Sequence, residues 1–317
     1  MISTKMFKPT LYFLFLSLMV SCSKDDDDAG NPASETYTTE VYLTDAPIDN
    51  AEVKGVFVTI AEVKVNGLAL EGFQKTTIDV SSLSNGTTKL LGNVELEAGS
   101  TSKIELVLDA AADASGNAPG NYVVTTSGEK KVLTTTSNSI SLSDQAEILA
   151  IEENELILDF DLRKSISQNA EGEYSFVGSS QLSNSIRAVN RAETGTITGN
   201  ISNMASASGE TLVVYAYKAG SYSEGETQTG ESGLNFTNAV SSTVVSESNG
   251  NFSLHFIEEG SYELVFASYE DEDNDGSLEF QGEAEMTLAG DLNLDGLSVT
   301  SNSTVELDLT FEGLLNL

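Results

Sequence analysis

One stretch concentrates the chemistry of this chain: Asp271-Glu272-Asp273-Asn274-Asp275-Gly276-Ser277-Leu278-Glu279. Oxygen donors at alternate positions wrap a hard cation, and a glycine after the third acid permits the sharp turn that closes such a loop. Asp271, Asp273 and Asp275 would ligate through carboxylates, Ser277 through its main-chain carbonyl, and Glu279 directly or through water. Calcium is the ion this set suits, in a structural rather than a signalling role. The position where helix-flanked calcium loops carry a bidentate Glu is Gly282, with Glu283 one residue late, and the flanks read as strands. The alternative is a solvated acidic turn, whose crowded acids repel one another unless a cation intervenes. A second run, Asp291-Leu292-Asn293-Leu294-Asp295-Gly296, repeats the spacing, but its leucines and Leu297 suit strand packing better than ligation.

Catalytic equipment is otherwise sparse. The chain has one histidine, His255, one cysteine, Cys22, and no tryptophan. A Ser-His-Asp triad would have to use His255. In Asn251-Phe252-Ser253-Leu254-His255-Phe256 the apolar residues alternate as a buried strand face, so His255 is expected to point away from the core, toward solvent. A zinc site built on several histidines is excluded by count. A carboxylate pair, as in glycan hydrolysis, is the enzymatic chemistry that remains. Asp159 and Asp161 share one strand face, read as the solvent side, with Arg163 and Lys164 as partners. Asp45, beside Pro47, is expected to accept main-chain N–H bonds at a turn.

The N-terminus carries a different kind of information. Lys5 and Lys8 precede an apolar run from Leu11 to Val20, which is too short to span a bilayer comfortably and reads as a secretory signal. Leu18-Met19-Val20-Ser21-Cys22 resembles a lipobox, with Met19 where Leu is usual. The resemblance implies cleavage before Cys22, acylation of that cysteine and anchoring in the outer membrane. Ser23-Lys24 and then Asp25 to Asp28 resemble the export signal of surface lipoproteins, which implies exposure at the cell surface; the periplasmic leaflet is the alternative. With 49 acidic and 15 basic residues and a formal net charge of −34, the chain lacks the basic face that nucleic acid or anionic lipid requires. If Cys22 carries lipid there is no disulfide, and stability must come from packing and from any bound metal.

These residues need elements to hold them. After a signal segment (1–21) and an acidic tether (22–36), strand patterns follow one another: Thr39 to Leu43, Val53 to Val65, Ser102 to Leu108, and Glu147 to Leu162. No long segment keeps a capped helical period. Short alternating runs separated by Gly, Asn, Asp and Ser clusters predict an all-β chain of two antiparallel β-sandwich domains, at 37–192 and 195–317. The boundary falls where Ser185 to Val189 reads as a last strand and Gly195 to Ile201 opens a new one.

Glu40-Val41-Tyr42-Leu43-Thr44-Asp45-Ala46-Pro47, followed by the long strand from Val53, resembles domain of unknown function 4382. Leu96 to Ser100 before the strand at Ile104, and Leu158 to Leu162, fit the same pattern. The resemblance implies a β-sandwich found in secreted and lipoprotein chains. That family has no established activity, so no catalytic residue carries over. In the second domain, Gly195-x-Ile197-x-Gly199-x-Ile201, then Asn249 to Leu254 and Glu259 to Leu264, are similar to carboxypeptidase-regulatory-like, transthyretin-like sandwiches. Such domains serve as stalks, spacers or ligand-binding accessories.

Together these readings predict a non-catalytic, surface-anchored lipoprotein that binds or presents a glycan or an envelope protein. A calcium-stiffened structural spacer is the alternative, and a carboxylate-dependent glycan hydrolase the less favoured one. Tyr215, Tyr217, Tyr222 and Phe236, near the Gly/Ser/Glu-rich stretch 219–238, form either an aromatic contact surface or core.

Overall fold

The computed structural model describes residues 35–45, 52–169, 171–204, 211–228, 235–272, 278–290 and 293–315. Residues 35–317 pack as one compact unit, within which two lobes have separate hydrophobic cores. The N-terminal lobe opens with β1 (Thr36–Thr44), β2 (Val53–Val65), β3 (Leu68–Ala69), β4 (Thr76–Asp79), β5 (Lys89–Glu97), β6 (Ile104–Leu108) and β7 (Tyr122–Thr125). It continues with β8 (Lys130–Thr134), β9 (Ser139–Ser141), β10 (Asn154–Phe160), β11 (Ile166–Gln168), β12 (Tyr174–Phe176) and β13 (Ile186–Asn190). Two short helices, α1 (Leu162–Ser165) and α2 (Ser179–Asn184), sit between β10 and β13.

One sheet runs β13-β10-β1-β5; the other runs β11-β12-β8-β7-β2-β6-β9, with β3 and β4 also paired to β2. Val41, Leu43, Leu156 and Phe160 from the first sheet and Val56, Val58, Ile60 and Leu106 from the second join one core, which is the definition of a sandwich. In β2 the buried positions switch phase, from Val56, Val58 and Ile60 to Val63 and Val65. A register shift between Ile60 and Glu62 against β6 causes it, because one extra residue turns the later side chains back to the core face.

The C-terminal lobe contains β14 (Thr194–Ser202), β15 (Thr211–Lys218), β16 (Ser241–Val244), β17 (Asn251–Glu258), β18 (Gly260–Glu270), β19 (Glu279–Leu288), β20 (Leu297–Val299) and β21 (Thr304–Leu314). Its sheet runs β16-β15-β18-β19-β21-β14-β17, with β20 on β18. Ile197 and Leu254 from one end of that order share a core with Val214 and Phe266 from the other, so the sheet folds back on itself. Most pairings are antiparallel, but β1 with β10, β8 with β12 and β14 with β21 run parallel.

Three expectations change. The strand expected from Glu147 to Leu162 is shorter, Asn154–Phe160: Glu147 makes only an isolated bridge to Thr101, and at the other end Asp161 leaves the ladder to cap α1. The alternation in β17 breaks: Ile257, not Phe256, joins Phe252 and Leu254 in the core. The register of β14 against β17 shifts between Gly195 and Ile197, leaving Phe256 at φ 54°. His255 points away from that core, as its alternation with Leu254 predicts, but the N-terminal lobe rather than solvent meets it: a Cβ on Gly86 would lie 2.8 Å from its ring. Burial also lowers its pKa. Of the two readings of the tyrosines, core holds: Tyr215, Tyr217 and Phe236 pack with Val213, Val265, Ala267 and Tyr269 on the second face of β15 and β18.

Candidate functional site

The most unusual chemistry of the described residues lies where the lobes meet. Asp161 caps α1, accepting the Lys164 N–H at 3.2 Å on Oδ1. Its Oδ2 lies 3.3 Å from Arg163 and 3.2 Å from the Lys164 Nζ, all in a buried setting. Both cations reach on into the C-terminal lobe. Arg163 donates to the carbonyls of Asn235 (2.9 Å) and Phe236 (3.3 Å) and to Ser242 Oγ (3.3 Å), and its guanidinium stands 5.0 Å from the Tyr215 ring centre. Lys164 Nζ donates to the Ala239 carbonyl at 2.9 Å. Further along, Arg187 binds Asp159 Oδ2 at 2.8 Å and the Phe256 carbonyl at 2.6 Å. Three cations from one lobe thus donate to main-chain carbonyls of the other, and charge-assisted bonds of this kind are stronger than neutral ones.

Asp159 and Asp161 are therefore buried, not on the solvent side. Arg163 and Lys164 do partner Asp161, as expected, whereas Asp159 takes the unforeseen Arg187. Period-two alternation correctly separates the two faces of β10. It cannot say that the C-terminal lobe covers the second one. Asp45 Oδ1 accepts a main-chain N–H, that of Leu162, 117 residues away, at 3.2 Å; the turn expected after it, from Ala46 on, lies outside the described residues.

Burial raises the Asp161 pKa, but Arg163 and Lys164 outweigh it and hold the carboxyl below the usual carboxylate range. Asp45 has no cation beside it. Burial first, then the charge of Asp159, push its carboxyl well above that range, against the Leu162 N–H. The signs of the two contributions to stability are opposite. Folded Asp45 keeps a proton that the unfolded carboxyl loses near pH 4, so its contribution falls as pH rises from about 4 through its folded pKa. Asp161 contributes above about pH 4 and loses that contribution as pH falls through its lower folded pKa. In chelator-containing buffer, Asp45→Asn is expected to flatten the decline of Tm above pH 4 while leaving the acid-side loss in place. A Tm–pH series on both proteins checks this.

Two neighbouring clefts open along the junction, of about 630 and 510 Å³, and both are bordered by Lys164, Asn184, Ser185, Thr237 and Asn238. Glu226 shapes one wall. It accepts from the Asn238 main chain at 2.9 Å, from the Asn238 side chain, and from the Tyr217 hydroxyl at 3.3 Å. The clefts are open and lined by amide, hydroxyl and charged groups, a surface suited to hydrogen bonding with a polar ligand.

The predicted metal loop lies between β18 and β19, where Glu270 pairs with Glu279 across a hairpin. Glu279 Oε2 accepts the Glu272 N–H at 3.0 Å, beside Asp271. Asp273, Asp275 and Ser277 lie outside the described residues, as do Cys22 and the whole signal and tether segment to residue 34. Among the described residues, no three His, Cys, Asp or Glu side chains converge as a metal cluster. No helix among them is long and apolar enough to cross a membrane.

Sheets on both sides of each core define an all-β, sandwich-built protein. Residues 36–177 match the family described as Domain of unknown function (DUF4382), a region that includes the Thr44-Asp45-Ala46-Pro47 motif. No curated protein matches the sequence. Among solved structures, the chain is similar to the major pilin subunit BcpA of Bacillus cereus, at 12% identity and TM-score 0.21 over 88% of this chain and 71% of that one. A minor pilin of Streptococcus agalactiae (9%, TM-score 0.20, 88% and 98%) and a major pilin of Streptococcus pyogenes (12%, TM-score 0.20, 88% and 98%) are similar at the same level. TM-scores this low carry no weight on fold or function.

Proposed function

We propose that the chain is a non-catalytic, lipid-anchored surface protein whose two sandwiches form one rigid presentation module, with the junction clefts as its binding face. The observation that carries this reading is the set of cations, the buried Arg163 and Lys164 and the partly buried Arg187, donating to main-chain carbonyls across the junction. Breaking a buried ionic contact is strongly unfavourable, so these bonds hold the lobes in one orientation. A tether from Cys22 at the outer-membrane surface would then place a stiff body, not two independent beads, outside the cell.

A polar ligand such as a glycan fits the clefts, whose Asn184, Ser185, Thr237 and Asn238 offer donors and acceptors of both kinds. The hydrolase reading loses support at its acids. Asp161 is held ionised between two cations, and Asp45, a buried acid with a raised pKa, borders a cavity of only about 20 Å³, too small for a sugar ring. Calcium at the 271–279 hairpin would stiffen the module further.

The test is a glycan array probed with the purified chain, with calcium and with chelator, beside the Asn184→Ala/Asn238→Ala double variant. Binding that the double variant loses supports the cleft as the binding face. A blank array for both proteins leaves the spacer reading, and binding that the variant retains moves the site elsewhere. Calorimetric titration of Asp273→Asn/Asp275→Asn is expected to lose one calcium per chain relative to the parent; equal stoichiometry would remove the hairpin assignment.

A further inference from the structure

A second feature of the junction points to a ligand the sequence motifs do not announce. Asp45 and Asp159 are each 5% exposed, and each is anchored through a single oxygen: Asp45 Oδ1 by the Leu162 N–H, Asp159 Oδ2 by Arg187. The other oxygen of each, Asp45 Oδ2 and Asp159 Oδ1, is buried without a hydrogen-bond partner among the described residues. Both acids border the same cavity of about 20 Å³, room for a single ion or water. Thr44 and Asn85 complete the wall from the N-terminal lobe, Ser241 and Thr243 from the C-terminal lobe, all with neutral oxygens.

We propose that this cavity binds one small hard cation, held by Asp45 Oδ2 and Asp159 Oδ1 and completed by neutral oxygens from both lobes. The charge balance supports it. Arg187 offsets one of the two acids, and the pairs at Asp161 consume Arg163 and Lys164. A lone water would satisfy the lone pairs but, once Asp45 gives up its proton, leave a net negative charge in a low-dielectric setting, which is costly; the ion competes with that proton for the site. His255, the remaining titratable group on the wall, is disfavoured as a cation by burial and adds little repulsion. All-oxygen donors select hard ions. Magnesium, which gives up its water shell reluctantly, fits so small a space poorly; calcium accepts irregular carboxylate, carbonyl and hydroxyl sets. The site is distinct from the 271–279 hairpin and draws ligands from both lobes, so the ion would tighten the junction.

The experiment uses the full chain carrying Asp273→Asn and Asp275→Asn, which silences the hairpin, after dialysis against chelator. Calorimetric titration and thermal melts are run with calcium, magnesium and sodium chlorides at pH 7.5. The expected result is one calcium per chain and a saturable rise in Tm of roughly 5 °C or more at a hundredfold excess over Kd. Both signals should vanish on adding Asp45→Asn, whose cation-free Tm is expected to equal or exceed that of its parent. Asp45→Ser serves if the Asn variant does not fold. Absence of heat and of any Tm change with all three cations, alongside a Tm that rises as pH falls, would mean that a proton occupies the site and would overturn the proposal. A calcium response undiminished by either Asp45 variant would overturn it as well.

Discussion

Replacing Arg163 with Met is expected to lower stability by about 3–5 kcal/mol, the cost of breaking a buried ion pair from one side. The effect is large because the guanidinium has several tasks at once. It neutralises Asp161, binds the carbonyls of Asn235 and Phe236, meets Ser242, and lies against the Tyr215 ring. Met fills much of the volume but leaves those carbonyls without this donor, in a place where unpaired polar groups are expensive. Lys164 would still hold Asp161, so α1 should remain capped and the N-terminal core intact. Scanning calorimetry is the measurement. The parent should melt in one transition, and Arg163→Met in two, as the lobes lose their coupling. A single transition at unchanged Tm in the variant would show that the contacts contribute little to holding the lobes.

Truncating Phe236 to Ala is expected to cost about 3–5 kcal/mol by opening a cavity in a packed core. The ring is fully buried, stacks on Tyr215 at 4.2 Å between centres and meets Phe280 edge-on at 5.6 Å. It also sits at φ 51°, with its N–H bonded to the Glu226 carbonyl and its own carbonyl accepting from Arg163. The ring pins to the sheet the segment that carries the carbonyls used by Arg163 and Lys164. Phe236→Leu keeps most of the volume and should lose less than half as much. Urea unfolding of both variants reads the difference. Since Arg163 and Phe236 act on one segment, the double variant Arg163→Met/Phe236→Ala should lose less than the sum of the two single losses.

Local pattern along the chain determines the class of structure and the position of several strands. Alternating apolar residues mark Val53 to Val65 as one strand, and β2 has those bounds. The acidic motif is flanked by strands, as its neighbours indicate, and lies between β18 and β19. These features are local: propensity, alternation and turn residues act within a few positions of one another, so they can be read along the chain.

What covers each face was decided only in three dimensions. Asp159 and Asp161 alternate with Leu158, Phe160 and Leu162, and on a one-sided sheet they would meet water. They are buried because residues 235–256, some seventy positions later in the chain, close over them. The parallel pairing of β1 with β10 gives Asp45 its distant partner, and Phe236 in the covering segment packs Tyr215 into core on the second face of β15. The exchange of Phe256 for Ile257 in the core has a smaller cause, one extra residue in β17 that shifts the phase of the strand. Alternation reports which side chains share a face, but burial and charge pairing depend on what packs against that face, and only the tertiary fold supplies it.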